Sequence, residues 1–175
     1  MIAPRAQTRR FDDLAPWIST LARLIVGGVL LVAGALKVID PRSSVAAVRA
    51  YELVPGWLER PIGWGLPFLE LGLGLLLLAG LLTRQAAVVA GLLVVVFLVA
   101  VVSAAARGLS LDCGCFGGGG EVAPGQTAYA GEIVRDLALL ALCGWLVWQP
   151  RSRFALDHPD LTGAGDSSLA RQVQR

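Results

Sequence analysis

The order of apolar and polar residues divides the chain into four long apolar blocks separated by short polar or Gly/Pro-rich breaks. The first runs from about Trp17 to Lys37; Arg23 interrupts it, and Lys37, Asp40 and Pro41 end it. The second covers about Trp64 to Leu82, with Glu70 inside it and Pro61 and Pro67 punctuating its entry. The third, Ala86 to Ala106, contains no charged residue, and Thr83-Arg84-Gln85 reads as the tight turn before it. The fourth runs from about Glu132 to Trp148, with Arg135 and Asp136 in its first turns and Pro150 just past its end. A bilayer core of about 30 Å takes roughly 20 helical residues, and each block is close to that length. Backbone groups left unpaired in lipid are too costly to persist, so every block is predicted to be a helix. The pattern therefore predicts an all-α integral membrane four-helix bundle, spans about 17–37, 64–82, 86–106 and 132–148.

The segments between the blocks have their own character. In 42–60, Val45, Val48 and Tyr51 recur at helical spacing with Arg49 and Glu52 between them. This predicts a short helix lying in the interface between spans one and two, closed by Pro55. Trp57 and Trp64 suit the headgroup level. Residues 1–16 read as a polar cytoplasmic tail, 17–149 as the membrane domain, and 150–175 as a polar, disordered tail. A cleaved signal peptide is the rival reading of the first block, because Ala33-Gly34-Ala35 resembles a small-residue cleavage site. The block is longer than a signal h-region, which favours a span.

Composition narrows the class further. Hydrophobic residues make up 55% and charged residues 16%, and the mean hydropathy is +0.67, which excludes an ordinary water-soluble globule and a disordered chain. A net charge of +2 gives no footprint for nucleic acid. Three cysteines and one histidine exclude a disulfide-dense scaffold and make a four-ligand zinc site implausible, so no metal is expected. Four spans put both termini on one side. With the termini inside, Arg5, Arg9, Arg10, Arg84, Arg151 and Arg153 are cytoplasmic, and the basic flank of the first span favours that orientation. The 107–131 loop then faces out of the cytoplasm.

That loop carries Cys113-Gly114-Cys115 and four glycines, Gly117–Gly120. Cysteines two positions apart lie near the upper limit of disulfide Cα spacing, so a bond between them closes with strain and exchanges readily. An extracytoplasmic location is where disulfides form, and glycine neighbours admit a partner's backbone. The favoured reading is a thiol–disulfide exchange pair; two structural cysteines and half of a metal site are the other readings. Asp112 beside the pair disfavours a thiolate, and no basic residue neighbours it in sequence, although Arg107 or Arg135 folding back would change that. Cys143 sits about 16 Å into the fourth helix and is expected to pack as a small apolar residue.

Several of these stretches together resemble a known family. RLIVGGVLLVAGALKVIDP (Arg23–Pro41), YELVP (Tyr51–Pro55), LPFLELGLGLLLLAGLLTR (Leu66–Arg84), RGLSLDCGCFG (Arg107–Gly117) and Arg135-Asp136 stand in the order and spacing of the DoxX-like membrane proteins, specifically the methylamine-utilisation MauE branch. The resemblance covers roughly residues 21–149; its helical motifs are weak singly, whereas the cysteine loop and the ordered set are fairly specific. It implies a four-helix membrane bundle associated with redox work outside the cytoplasm. In the name-giving branch that work assists maturation of methylamine dehydrogenase together with a thioredoxin-like partner. The branch's Cys-Gly-Cys pair maps onto Cys113 and Cys115.

Charges within the spans are expected to pair. Lys37 and Glu70 reach the same membrane side, as do Arg135 and Asp136, so all four are expected to gather beneath the cysteine loop, either supporting electron or proton transfer or fixing helix register. Arg23, near the opposite face, is expected to snorkel or meet lipid phosphate. Gly27, Gly28, Gly34, Gly72 and Gly74 are expected to permit close helix contact. His158, in the tail, is given no catalytic role. Two functions follow. One is a membrane thiol–disulfide component exchanging with a thioredoxin-like partner, with a quinone as its electron acceptor by analogy with other disulfide-generating membrane proteins. The other is a non-catalytic assembly or anchoring subunit of a larger complex; a transporter fits less well, because no span is broken at mid-membrane.

Overall fold

The computed structural model describes residues 5–114, 118–123 and 127–150, with side chains from Leu14 onward. The chain is mainly helical: α1 (Arg5–Ile39), α2 (Pro41–Ala50), α3 (Gly56–Ala79), α4 (Thr83–Ala106) and α5 (Tyr129–Trp148), with a small hairpin, β1 (Leu111–Asp112) and β2 (Gly120–Glu121), between α4 and α5. Three helices are long and apolar enough to cross a membrane: Leu14–Ile39 within α1, α3 and α4. The fourth apolar block forms α5, which is 20 residues long and carries Glu132, Arg135 and Asp136 near its start. Leu21, Phe68, Leu92, Val99 and Val134 are each at least 60% exposed, an apolar surface that water would not tolerate and acyl chains would.

Several boundaries differ from those the sequence predicts. The predicted polar tail 1–16 is helical from Arg5 and continuous with the first span, with Pro16 inside the helix. The predicted tail 150–175, His158 included, lies outside the described residues beyond Pro150. α3 begins eight residues earlier than expected and runs through Pro61 and Pro67. A proline cannot donate to the carbonyl four residues back, so Pro67 leaves the Gly63 carbonyl without its helical partner. The buried Ser44 hydroxyl of α2 takes that place, donating to Gly63 O at 2.8 Å. Close approach at this point depends on Gly63, where a Cβ would stand 2.7 Å from the Val45 side chain. The α3–α4 turn falls at Gly80–Leu82, not at Thr83–Gln85. Gly80 is left-handed (φ 67°) and the Leu81 N–H donates to Leu76 O at 3.0 Å, the bond that closes a Schellman cap.

Asp40 alone separates α1 from α2. It caps α2 by accepting from the Ser43 N–H at 3.2 Å, and Pro41 occupies the first helical position, where a missing donor costs nothing. α1 packs most extensively on α3, and α4 on α5. Gly27, Gly34 and Gly74 make the first contact possible: a Cβ on Gly34 would stand 2.8 Å from Pro67 O, and one on Gly74 2.8 Å from Leu31 N. Gly28 and Gly72 face open space and take no part. The core comprises Val26, Leu30, Leu73 and Leu77 together with a small-residue face of α4 (Ala86, Ala87, Ala90) against Leu139, Cys143 and Leu146 of α5. At the end remote from the hairpin, Ser19 Oγ donates to Gln149 O at 2.8 Å and accepts from Trp145 Nε1 at 3.1 Å, tying α5 to α1. Arg23 is 3% exposed, buried against its neighbours instead of snorkelling as expected. Contact between α3 and α4 is much slighter than that of α1 with α3 or of α4 with α5, and α2 lies over α3 beside that seam.

Candidate functional site

The site is built where the hairpin meets α2 and the start of α5. The hairpin pairs Leu111 with Glu121 and Asp112 with Gly120, and Val122 N donates to Ser110 O at 2.9 Å. Its base is held by Tyr129, whose hydroxyl donates to Leu109 O at 2.6 Å and accepts from Leu111 N at 3.2 Å. Leu111 is 2% exposed and plugs the hairpin into the helices. Beyond it the chain turns through Gly114 (φ +65°) and returns through Gly119 (φ +95°), conformations that residues with a Cβ rarely adopt. Both glycines rest on Ala47 of α2, where added Cβ atoms would stand 3.0 and 2.7 Å from the Ala47 methyl. A larger residue at either glycine, or at position 47, would lift the loop off α2.

Cys113 is therefore held in place by backbone contacts on either side. Its N–H points at Glu132 Oε1 (3.4 Å), and the Gly114 N–H donates to Asp112 Oδ1 at 3.3 Å. The Arg135 guanidinium lies against its sulfur, with Nη2 at 3.8 Å and Nη1 at 4.0 Å from Sγ. Arg135 is itself fixed by Asp136, which accepts from Nε at 3.0 Å and from Nη2 at 2.9 Å. The basic neighbour missing from the local sequence is thus supplied from 22 positions downstream, where α5 opens. A guanidinium beside a sulfur favours the thiolate, the nucleophilic form. Arg107, the other residue considered for this role, reaches Tyr51 O at 2.5 Å and Glu52 at 3.8 Å instead. Cys115, predicted to be the second member of the pair, lies outside the described residues.

The four charges expected beneath the loop resolve into two pairs. Lys37 Nζ meets Glu70 Oε1 at 2.5 Å, with side chains 7% and 1% exposed, joining the end of α1 to α3. Arg135–Asp136 is the second pair, on α5. Lys37 also lies 5.2 Å from the centroid of the Phe97 ring on α4. Cys143 is 2% exposed in the core, packed as a small residue. Sequence reasoning passed over Glu132, which stands three and four positions before Arg135 and Asp136, so that helical periodicity puts all three on one face. It also passed over Ala47, Phe97 and Tyr129, whose roles come from non-local contacts that no spacing rule encodes.

Donor atoms of Asp112, Cys113 and Glu132 lie within 4.8 Å of one another, and this is the only group among the described residues with the donor types and spacing to hold a metal ion. The Arg135 cation touching the same sulfur works against a second cation there. The arrangement is suited to thiolate chemistry: a cysteine on a fixed loop, a cation at its sulfur, and a following glycine seated on α2.

Among known proteins, the chain is 37% identical over 101 residues to the methylamine utilization protein MauE of Methylophilus methylotrophus, which is 57% of this chain and 53% of that protein. It is 36% identical over 105 residues to the protein of the same name from Methylorubrum extorquens, covering 59% and 56% respectively. The chain thus spans about half the length of the curated relatives it matches. No solved structure matches it. The family model described as methylamine utilisation protein MauE matches residues 15–149, from the start of the apolar part of α1 to the end of α5, and the chain belongs to that family.

Proposed function

We propose that this chain is a membrane-embedded thiol–disulfide exchange protein, an accessory in the maturation of exported proteins of the kind the family name associates with methylamine utilisation. The observation that carries the reading is the Arg135 guanidinium 3.8 Å from Cys113 Sγ, on a loop seated against α2 by glycines. A thiolate at Cys113 attacks a disulfide of a thioredoxin-like extracytoplasmic partner; one sulfur of that disulfide leaves as thiolate and a mixed disulfide forms. Cys115 then attacks Cys113 Sγ, the partner leaves with both sulfurs reduced, and the pair is oxidised. The reverse sequence oxidises the partner. Either direction needs a reactive, accessible first cysteine.

In this reading the chain spans the membrane four times, with α2 at the interface and kinship to DoxX-like proteins. α5 is about 30 Å long, enough to cross, and its three charges fall in its first two turns, where the interface is near. The cysteine loop, α2 and Lys37 lie at one end; Arg84 and Pro150 line a shallow depression at the other. The charge bias supports termini in the cytoplasm and the loop outside.

The test uses intact cells producing the full chain. A membrane-impermeant maleimide is applied with and without reductant, and the redox state of exported disulfide proteins is followed in wild type and Cys113→Ser. Labelling of Cys113 from outside after reduction, with exported proteins shifted in redox state by Cys113→Ser, is the expected result. Labelling only after lysis overturns the outward loop. An unchanged redox state in Cys113→Ser overturns exchange and leaves the assembly-subunit reading.

A further inference from the structure

The seam between α3 and α4, packed far less extensively than α1 on α3 or α4 on α5, holds a cavity of about 370 Å³. α2 and the cysteine loop form its wall on the hairpin side. That volume falls within the range of small-molecule sites. Its walls are apolar, and Val96 and Val99 line it while remaining 62% and 60% exposed. The cavity therefore opens sideways, onto a surface that in a membrane faces acyl chains, so that its ligand would enter from the lipid.

Its polar groups are few and placed together. Lys37 lines it, 6% exposed, and its ammonium has three donors, of which one goes to Glu70 Oε1. Phe97, 5.2 Å from that ammonium, lines it too. Cys113 and Gly114 form part of the same wall. A lipid acyl chain would use neither the ammonium nor the ring. An anionic headgroup would find the ammonium already neutralised by Glu70. A neutral planar head with a carbonyl oxygen uses all of these features: the ring stacks on Phe97, the oxygen accepts from Lys37, and an apolar tail runs out past Val96 into the lipid.

We propose that this cavity binds the head of an isoprenoid quinone beside Cys113. The inference rests on the thiol-exchange reading for its chemistry, and the electrons balance within it. Two cysteine thiols and one quinone give one disulfide and one quinol. Two S–H bonds break and one S–S bond forms, and two electrons and two protons pass to the two carbonyl oxygens as two O–H bonds.

The experiment uses the full chain in phospholipid nanodiscs and a ubiquinone analogue with a ten-carbon tail bearing an aryl azide. After illumination, the labelled peptides are mapped, with decylubiquinone and a ten-carbon phosphatidylcholine as competitors. The expected label falls on the α4 segment from Leu93 to Val101 and is competed by the quinone alone. Val96→Trp, at the exposed mouth where folding is not at stake, is expected to reduce it at least tenfold. Lys37→Met/Glu70→Gln, which removes the donor without stranding a charge, is expected to weaken quinone competition to a similar degree. Cys113→Ser retains the label. Diffuse labelling, equal competition by the phospholipid, or full labelling of Val96→Trp overturns the site. Failure of the thiol reading looks different: the specific label persists, but the reduced wild-type protein forms no quinol from decylubiquinone. Failure of the site alone leaves exchange with a thioredoxin-like protein intact and abolishes the specific label.

Discussion

At the scale of single residues, electrostatics governs the contacts of Arg135 with Cys113 and of Lys37 with Glu70. Arg135→Gln removes the cation at Cys113 Sγ and leaves Asp112 and Glu132 as the charged groups nearest the sulfur. Alkylation of Cys113 at neutral pH is expected to slow by about tenfold, the rate equivalent of about 1.4 kcal/mol; iodoacetamide kinetics in a Cys143→Ala background measure it. An unchanged rate would mean that the guanidinium does not act on the thiolate. Lys37→Met strands a carboxylate that is 1% exposed. Loss of one partner of a buried pair costs about 3–5 kcal/mol, so thermal unfolding in detergent is expected to occur far below wild type. Lys37→Met/Glu70→Gln should recover most of that loss, because no uncompensated charge remains. These residues were recognisable in the sequence as costly intramembrane charges, and Lys37–Glu70 pairs as their positions on successive helices suggested. Arg135 could be named in the sequence but not assigned to the sulfur, since the 22 positions between it and Cys113 follow no helical or strand period.

At the scale of elements, α2 is the support on which the loop is built. Its Ser44 completes the hydrogen bonding that Pro67 breaks in α3, and its Ala47 receives Gly114 and Gly119. Ser44→Ala leaves the Gly63 carbonyl unpaired in a buried site, with an expected loss of about 1–3 kcal/mol, readable as a lower unfolding midpoint without loss of helical signal. Ala47→Leu places a branched side chain where a Cβ on either glycine would already stand 3.0 Å or less from the Ala47 methyl. It is expected to displace the loop and slow Cys113 alkylation, because the sulfur leaves Arg135. The short helix itself was legible from the spacing of Val45 and Val48. Its partnership with α3 was not, and Pro61 and Pro67 argued for a later start of α3 than Gly56. Prolines read locally as boundaries, and only a hydroxyl from another helix removes the cost of continuing through one.

At the scale of the whole molecule, the helices pack unevenly: α1–α3 and α4–α5 are tight, and α3–α4 is loose. The tight contact between α1 and α3 needs glycine at 27, 34 and 74, and the loose seam contains the cavity next to Cys113. The proposed topology predicts opposite accessibility at the two ends. Gln85→Cys, in the first turn of α4, is expected to be protected from an impermeant maleimide in intact cells, whereas Cys113 reacts; the reverse pattern would invert the orientation. What the sequence by itself determined is the solvent of this protein and the number of its long apolar blocks, because burial in lipid acts on every residue of a span and writes itself into composition. It also singled out Cys113, since two cysteines one residue apart stand out in a cysteine-poor chain. The tertiary structure alone decided what surrounds that sulfur. Arg135 and Glu132 come from α5, Ala47 from α2, and much of the cavity wall from α3 and α4, and their convergence depends on glycine-permitted packing distances that a linear pattern does not contain.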